Sequence, residues 1–362
     1  MRITSIIAEY NPFHTGHLYH LRRAKEETAS DLLVVVMSGS FTERGDIAVA
    51  DRLTRAEWAV KAGADLVLEL PAVFAVSPAQ NFAFGAVKTL SFLGDYTLSF
   101  GSESGDLDSL LALSEVLDNE TEEFKELLRK NLKSGKNFPR SRGEALHSLY
   151  PEHAGILEKP NNILALEYIK ALKPYPDVKL HTVAREDNYN SERPSERFAS
   201  ATALRAMAAD GLSLKDYLPD FVGFVHTERA PLYQRIMENL IKMSADDLKD
   251  IAEVGEGLEN RIKKFCHLEY FDFLAAVKTK RYTMSRIKRI SILALLGITK
   301  DIVEKAKAAP PYLHVLAVNR KNQSELDALI SRANPLYRKE LLADPFLKVL
   351  AAIDDKAAEL IV

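Results

Sequence analysis

The feature that most constrains this chain is the alternation of short apolar, β-branched runs with helical stretches over its first 212 residues. Strands that alternate with helices form a parallel sheet with helices on its faces, because each parallel connection needs a crossover. The sequence therefore predicts an α/β fold with a Rossmann-like parallel sheet. The predicted strands span residues 3–8, 32–37, 66–70, 97–100 and 178–183.

Helices are predicted between and after these strands. The helix over 51–62 begins at Asp51, a residue type that caps helix starts, and stops before Gly63. Another helix is predicted over 163–172, behind Pro160. Beyond about residue 212 the strand pattern fades. We therefore predict an α/β domain over 1–212 and a mainly α-helical domain over 213–362, with helices at 230–243, 258–266 and 284–296.

The composition is that of an ordinary folded protein. The chain has 362 residues, of which 47% are hydrophobic and 27% charged, enough for a large core and two domains. Its single cysteine, Cys266, cannot form an intrachain disulfide, and no zinc-type spacing is present. No apolar run approaches the roughly 20 residues that span a bilayer. We expect a cytoplasmic protein with no membrane contact and no metal held by its own side chains.

Two clusters of basic residues stand out in a chain whose net charge is −3. Neither contains an acid, so each is either a solvated face or a surface for a polyanion. The first comprises Arg129, Lys130, Lys133, Lys136, Arg140 and Arg142. The second comprises Lys278, Lys280, Arg281, Arg286, Lys288 and Arg289.

The first strand runs into Asn11-Pro12 and then into His14-Thr15-Gly16-His17, with a helix predicted to begin near His17. Unpaired N–H groups at such a helix start attract phosphate, and a glycine lets the backbone approach it closely. Imidazole N–H groups can stabilise charge that develops at phosphorus. The H-x-G-H pattern predicts a nucleotide site with His14 and His17 as catalytic residues. Metal ligation and a plain surface position are the alternatives.

A second pattern, "FASATALR" at 198–205, places Ser200 and Thr202 at a helix start and Arg205 one turn further on. These groups suit phosphate, although such a string alone is an ordinary helix cap. Together with H-x-G-H it resembles the nucleotidyltransferase superfamily, whose second signature is similar to S-S-T-x-I-R. Here Ala201 replaces one serine, and Leu204 replaces the isoleucine.

A closer resemblance covers essentially the whole chain. The runs "IIAEYNPFHTGH", "MSGSFTERGD", "ADLVLELP", "SFGSES", "PNNILALEY" and "FASATALR" are similar to those of the tRNA(Met) cytidine acetate ligase family. The resemblance implies that ATP adenylates acetate, and Mg²⁺ is expected to accompany the triphosphate. The acetyl group then passes to N4 of the wobble cytidine of elongator tRNA(Met).

The resemblance also implies an ATP site. It comprises Ile7, Ala8, Glu9, Tyr10, Asn11, Pro12, Phe13, His14, Thr15, Gly16, His17, Leu18, Tyr19, His20, Gly101, Asn161, Asn162 and Arg185, joined by Ser200, Thr202 and Arg205 of the second motif. Members of the family often carry a glycine-rich stretch after the arginine, whereas this chain has Glu186-Asp187-Asn188-Tyr189. The basic cluster of 278–289 is expected to bind the tRNA, with Tyr282 as a stacking residue.

Two other functions fit the same residues. A small-molecule nucleotidyltransferase needs the ATP site but no large basic helical domain. A nucleotide-binding or RNA-binding protein without catalysis needs neither acetate nor bond cleavage. Exchange of pyrophosphate into ATP separates the three, because only an acetate ligase shows exchange that depends on acetate. The sequence points to no protein partner.

Overall fold

Six strands form one sheet in the computed structural model of the chain. They are β1 (Ile3–Ala8), β2 (Leu32–Ser38), β3 (Leu66–Leu70), β4 (Thr97–Ser102), β5 (Lys179–Ala184) and β6 (Val315–Val318). Their order across the sheet is β5-β4-β1-β2-β3-β6. The first five strands are parallel, and β6 runs antiparallel to β3. The predicted parallel α/β sheet is thus confirmed.

The structure describes residues 1–136, 138–153, 155–185, 199–223, 229–332, 339 and 342–361, with the backbone alone at 139, 152 and 332. The helices within these ranges are α1 (Thr15–Glu27), α2 (Arg52–Lys61), α3 (Ala72–Ala75), α4 (Ala79–Leu90), α5 (Leu107–Asp118), α6 (Glu122–Lys133), α7 (Phe138–Leu149), α8 (Pro160–Ala171), α9 (Ala201–Ala209), α10 (Ala230–Lys242), α11 (Ala245–Asp250), α12 (Leu258–Phe265), α13 (Tyr270–Val277), α14 (Met284–Leu296), α15 (Lys300–Ala308), α16 (Gln323–Arg332) and α17 (Pro345–Glu359).

The strand β1 lies between β2 and β4, where the chain order across the sheet reverses. Such a switch point opens a crevice at the carboxyl ends of the two diverging strands. Strands β2 and β3 are buried along their whole length, as their continuous apolar sequences require in a sheet covered on both faces. The switch point therefore places the loop after β1 and the end of β4 at one crevice.

The strand β6 is absent from the strand pattern of the sequence. It has four residues, and Ala317 pairs with Val67 of β3. This strand comes from beyond residue 212, so the sheet contains residues from both predicted domains. Apart from β6, the regular elements that the structure describes beyond 212 are helices, as predicted. The division at 212 itself stays a prediction.

Apolar side chains fill both faces of the sheet. One cluster of buried residues extends from Val34 and Phe82 to Ile236 and Leu293, so the helices beyond 212 share a core with the sheet. A second cluster packs α1 and α2 on the other face and includes Trp58. The lone Cys266 is buried, as its core interpretation predicts. Among the described helices none has the length and hydropathy of a membrane span.

Candidate active site

His14 and His17 form the start of α1. His14 is the N-cap, and its Nδ1 accepts a hydrogen bond from the Gly16 N–H at 3.1 Å. The Nδ1 of His17 accepts from the backbone N–H of His14 at 3.3 Å. The two histidines thus make a reciprocal capping box, the arrangement that Ser or Thr and Glu usually form. The sequence predicts a start near His17. The helix begins earlier, at Thr15, because His14 supplies this cap.

The capping box determines which nitrogens can meet a ligand. Each Nδ1 accepts a backbone hydrogen bond, so each neutral ring carries its proton on Nε2. Burial, together with the charges of Arg185 and Arg205, lowers the pKa of His14 from 6.5 to about 3. Burial and the neighbouring His14 lower the pKa of His17 well below 6.5. Two neutral Nε2–H donors remain, and such donors suit anionic phosphate oxygens.

Burial of His14 corrects one expectation. The sequence suggests a solvent-reached loop, but the residue is only 1% exposed, and its ring stacks on that of His17 with centroids 3.7 Å apart. Its imidazole therefore contributes to the local fold as well as to any chemistry. Replacing it affects helix α1 directly.

Arg205 brings the second motif to the first. Its Nη1 donates to the carbonyl oxygen of Asn11 at 2.6 Å, and its Nη2 donates to Thr202 Oγ1 at 3.2 Å. Ser200 is the N-cap of α9, and its hydroxyl accepts from the Ala203 N–H at 3.1 Å. The two motifs, far apart in sequence, therefore meet. Phe198 lies outside the described residues.

Gly101, Asn161 and Arg185 lie together at the end of β4. Gly101 lies inside the strand, and a Cβ there would come within 3.2 Å of the Arg185 side chain. Arg185 Nη1 donates to Asn161 Oδ1 at 3.3 Å. The charge of Arg185 adds to burial in lowering the pKa of His14, His17 and His20. Residues 186–189 lie outside the described residues.

Asn11 and Asn162 are buried, and their side chains hold loops rather than face open space. Asn162 Oδ1 accepts from the backbone N–H groups of Glu103 and Ser104 at 2.9 and 3.1 Å. Asn11 Oδ1 accepts from the Val49 N–H at 2.7 Å. These two residues therefore shape the walls of the crevice through its backbone.

The remaining residues of the proposed ATP loop follow the chain through the crevice. Ile7 and Ala8 end β1, Phe13 is buried, and Tyr10, also buried, has a positive φ of 48°. Pro12 follows a cis peptide bond. The other members, Thr15, Gly16, Leu18, Tyr19 and His20, lie in the first half of α1.

The sequence includes Glu9 in the proposed ATP loop without a role for its charge, and it does not single out Arg55. Glu9 accepts from the Glu43 N–H at 2.6 Å, and burial raises its pKa from 4.5 to about 7. Arg55, which is 0% exposed, donates to the carbonyls of Glu9 and Ser38 at 2.6 and 3.0 Å. Burial lowers the pKa of Arg55 to about 10. Its position on the apolar face of α2, beside Ala56 and Ala59, was the available signal.

The basic cluster of 278–289 divides into two sets. Lys278, Lys280 and Arg281 are exposed on the turn before α14. Arg286 donates to the Glu253 carbonyl at 2.8 Å, and Lys288 Nζ lies 2.7 Å from Asp46 Oδ1.

Arg289 is the most enclosed member of this cluster. It is 7% exposed, and its Nε lies 2.6 Å from Glu253 Oε1. Tyr282 is 8% exposed, and its hydroxyl donates to the Glu256 carbonyl at 2.8 Å. The expectation that Tyr282 stacks on a base is therefore wrong, because its ring lies in the core. Arg289 likewise lies where a carboxylate already pairs with it.

A parallel sheet whose switch point carries an H-x-G-H helix start beside Arg205 and Arg185 defines the class of HIGH-type nucleotidyltransferases. The model of the family described as HIGH Nucleotidyl Transferase matches residues 1–340. A tRNA(Met) cytidine acetate ligase of Kosmotoga olearia is 37% identical, covering 95% of this chain and 86% of the relative. Another, of Thermoanaerobacter sp. strain X514, is 40% identical, covering 93% and 88%. The chain belongs to the tRNA(Met) cytidine acetate ligase family.

Solved structures agree with this assignment. The apo crystal structure of Thermotoga maritima TmcAL superposes with a TM-score of 0.90 at 33% identity, covering 99% of this chain and 93% of that one. The same protein bound with alpha-thio ATP gives a TM-score of 0.85, covering 99% and 92%. The fold predicted from the sequence is thus confirmed over nearly its whole length.

Proposed function

We propose that this protein is an ATP-dependent acetate ligase that acts on the wobble cytidine of elongator tRNA(Met). The observation that carries the proposal is the paired His14 and His17 cap at the switch point of the sheet, with Arg205 bonded to the Asn11 carbonyl of the same loop and the charge of Arg185 acting on both rings. Two cations and two neutral N–H donors at a helix start are suited to a triphosphate. The names of the relatives and the ATP analogue bound to the Thermotoga protein support the same function.

In the first step a carboxylate oxygen of acetate attacks the α-phosphorus of ATP, and the bond to the β-phosphate oxygen breaks. The products are acetyl adenylate and pyrophosphate. The Nε2–H groups of His14 and His17 stabilise the charge that builds on phosphate oxygens, and each such donor is worth roughly 10²- to 10³-fold in rate. Neutral imidazoles are suited to this task because they donate hydrogen bonds through Nε2–H and carry no additional proton that would have to leave during the reaction.

We propose that Mg²⁺ arrives with the triphosphate. This ion usually binds through phosphate oxygens and waters and takes only one or two carboxylates from the protein. Among the described residues no group of three or more His, Cys, Asp or Glu side chains is placed to hold a metal ion. Phosphate oxygens and waters would therefore supply most of the ligands.

In the second step N4 of the cytidine attacks the acetyl carbonyl, AMP leaves, and a proton is lost from N4. The exposed Lys278, Lys280 and Arg281 are the members of the basic cluster that can reach an RNA backbone, so we assign tRNA binding first to them. The other three members of the cluster pair with acidic residues and hold α14 in place behind this surface. They are Arg286, Lys288 and Arg289, which pair with Glu256, Asp46 and Glu253. A tRNA substrate implies a reaction in the cytoplasm.

Exchange of radiolabelled pyrophosphate into ATP tests the first step without tRNA. We expect exchange that requires acetate and that His17→Ala reduces at least a hundredfold. Exchange that needs a different acceptor would establish a small-molecule nucleotidyltransferase instead. An absence of exchange with every acceptor, in a protein that still binds ATP, would leave a binding protein. Acetylation of elongator tRNA(Met), with initiator tRNA(Met) as control, tests the second step.

A further inference from the structure

A chain of four side chains begins at the surface and ends at His20 of α1. Glu27 Oε2 lies 2.7 Å from His181 Nε2, and His181 Nδ1 lies 3.0 Å from Ser99 Oγ. Ser99 Oγ in turn lies 3.0 Å from His20 Nε2. These residues come from α1, β5 and β4, and Ser99 is fully buried between the two rings. The chain ends on a residue of the proposed ATP loop.

The hydrogen-bonding capacity of each group determines where the protons lie. A carboxylate can only accept, so His181 must carry a proton on Nε2 to bond Glu27. When His181 is neutral, its Nδ1 is then bare and accepts the hydroxyl proton of Ser99. Ser99 has only one proton to give, so its oxygen must accept from His20. The Nε2 of His20 therefore carries the proton, and its Nδ1 is bare.

His20 thus differs from its two neighbours in the same helix. The backbone occupies the Nδ1 of His14 and of His17, and their Nε2–H groups remain as donors. In His20 the protein occupies Nε2 instead, which leaves Nδ1 as an acceptor. Burial and the adjacent Arg185 charge lower the pKa of His20 to about 3, so the ring stays neutral. An acceptor of this kind is suited to an O–H or N–H group and not to a phosphate oxygen.

We propose that Glu27, His181 and Ser99 are positioning residues that fix His20 as a hydrogen-bond acceptor for a donor group of ATP. The shared chemistry is a neutral donor, which ATP offers as its ribose hydroxyls and its 6-amino group. This inference rests on the proposed function through the placement of His20 in the ATP site. The arrangement of protons in the chain does not depend on it.

Imidazole ¹⁵N NMR tests the proton arrangement directly, because protonated and bare ring nitrogens have separate shifts. Spectra are recorded across a range of pH, and the signals of His20 are assigned by their loss in His20→Gln. We expect a proton on Nε2 of His20 and a bare Nδ1. Ser99→Ala should remove this fixed tautomer. The opposite tautomer in the parent protein, or an unchanged spectrum in Ser99→Ala, overturns the positioning chain.

Ser5→Ala is the matched control. Ser5 lies on the neighbouring strand β1, is as buried as Ser99, and its hydroxyl has no hydrogen-bond partner among the described residues. This change should leave the His20 spectrum as it is. If Ser99→Ala does not fold, His181→Gln tests the same chain from the next position.

ATP analogues test the ligand. Dissociation constants of ATP, 2′-deoxyATP, 3′-deoxyATP and purine riboside triphosphate are measured for the parent protein and for His20→Ala. We expect one missing donor to weaken binding about threefold to tenfold in the parent and not in the variant. If no analogue depends on His20, the ligand assignment falls while the NMR result stands. If ATP itself does not bind, the proposed function fails instead.

Discussion

Lys288 of α14 and Asp46 of the loop after β2 form an ion pair with a separation of 2.7 Å. The other oxygen of Asp46 lies 3.5 Å from Arg205 Nη2. The carboxylate of Asp46 therefore connects α14 to Arg205 of the second nucleotide motif. A Cβ on Gly45 would come within 2.5 Å of the α14 backbone, so the loop and the helix touch directly.

We expect Asp46→Asn to weaken ATP binding about tenfold, because Arg205 loses a charged partner that holds its fork beside Asn11. Isothermal titration with ATP measures this. Asp246→Asn is the control, since Asp246 pairs with Lys249 at an exposed site. Equal ATP affinity in Asp46→Asn and the parent would show that Arg205 needs no help from this carboxylate.

The two tasks of His14 can be separated. His14→Ala should lose the cap, at a cost of about 1 kcal/mol of stability, and also the Nε2–H donor. His14→Asn should keep the cap, because its Oδ1 can accept from the Gly16 N–H, yet lose the donor. We therefore expect both variants to reduce acetate-dependent pyrophosphate exchange at least a hundredfold, with only the alanine variant unfolding at lower temperature. Full exchange in His14→Asn would remove His14 from the chemistry.

The exposed basic residues should matter for RNA and not for the adenylate. Changing Lys278, Lys280 and Arg281 to Ala should leave exchange intact and weaken tRNA binding. Each lost phosphate contact should reduce the slope of log affinity against log salt by about 0.7 to 0.9.

The matched triple changes Arg129, Lys130 and Lys133, three exposed members of the other basic cluster that all lie on α6. Binding and salt slope are measured by filter binding for both triples. A loss in the second triple alone would move the tRNA surface to α6.

Asp354 of α17 should make stability depend on pH. Its Oδ1 accepts from the Ala72 N–H at 2.7 Å, and burial beside Glu69 raises its pKa from 3.8 to about 8. The folded state then holds a proton that the unfolded chain releases, so this stability is full below about pH 4 and lost as pH rises towards 8. Asp354→Asn should flatten that decline in urea unfolding. Asp355→Asn, whose parent carboxyl has a lowered pKa, should alter only the acid side.

Local patterns in the sequence predict the elements well where burial and capping agree. The bounds of β1, β3 and α14 match the predicted ones, because each has an apolar pattern typical of its element and a cap or turn at its ends. The H-x-G-H helix and Arg205 also meet as the two motifs require. The start of α1 differs from the predicted one because histidine is an unusual N-cap, and a residue pattern does not show the hydrogen bonds of its ring.

Contacts distant in sequence could not be predicted in the same way. Arg289 has the appearance of a surface cation, but Glu253, 36 residues earlier, pairs with it in the core. Charge alone does not reveal such a partner. The same holds for the chain from Glu27 to His20, since His181 reaches Ser99 only because β4 and β5 pair in register.

The edge strand β6 has a consequence for how this protein is made. The outer edge of β3 is covered only when Ala317 of β6 pairs with Val67, and these two residues are separated by most of the chain. Until then a ribosome-bound chain exposes an apolar parallel edge, the kind of surface that pairs with other chains. Synthesis therefore has to pass residue 317 before this edge of the sheet is covered. A fragment ending near residue 212 should aggregate rather than provide a working ATP domain.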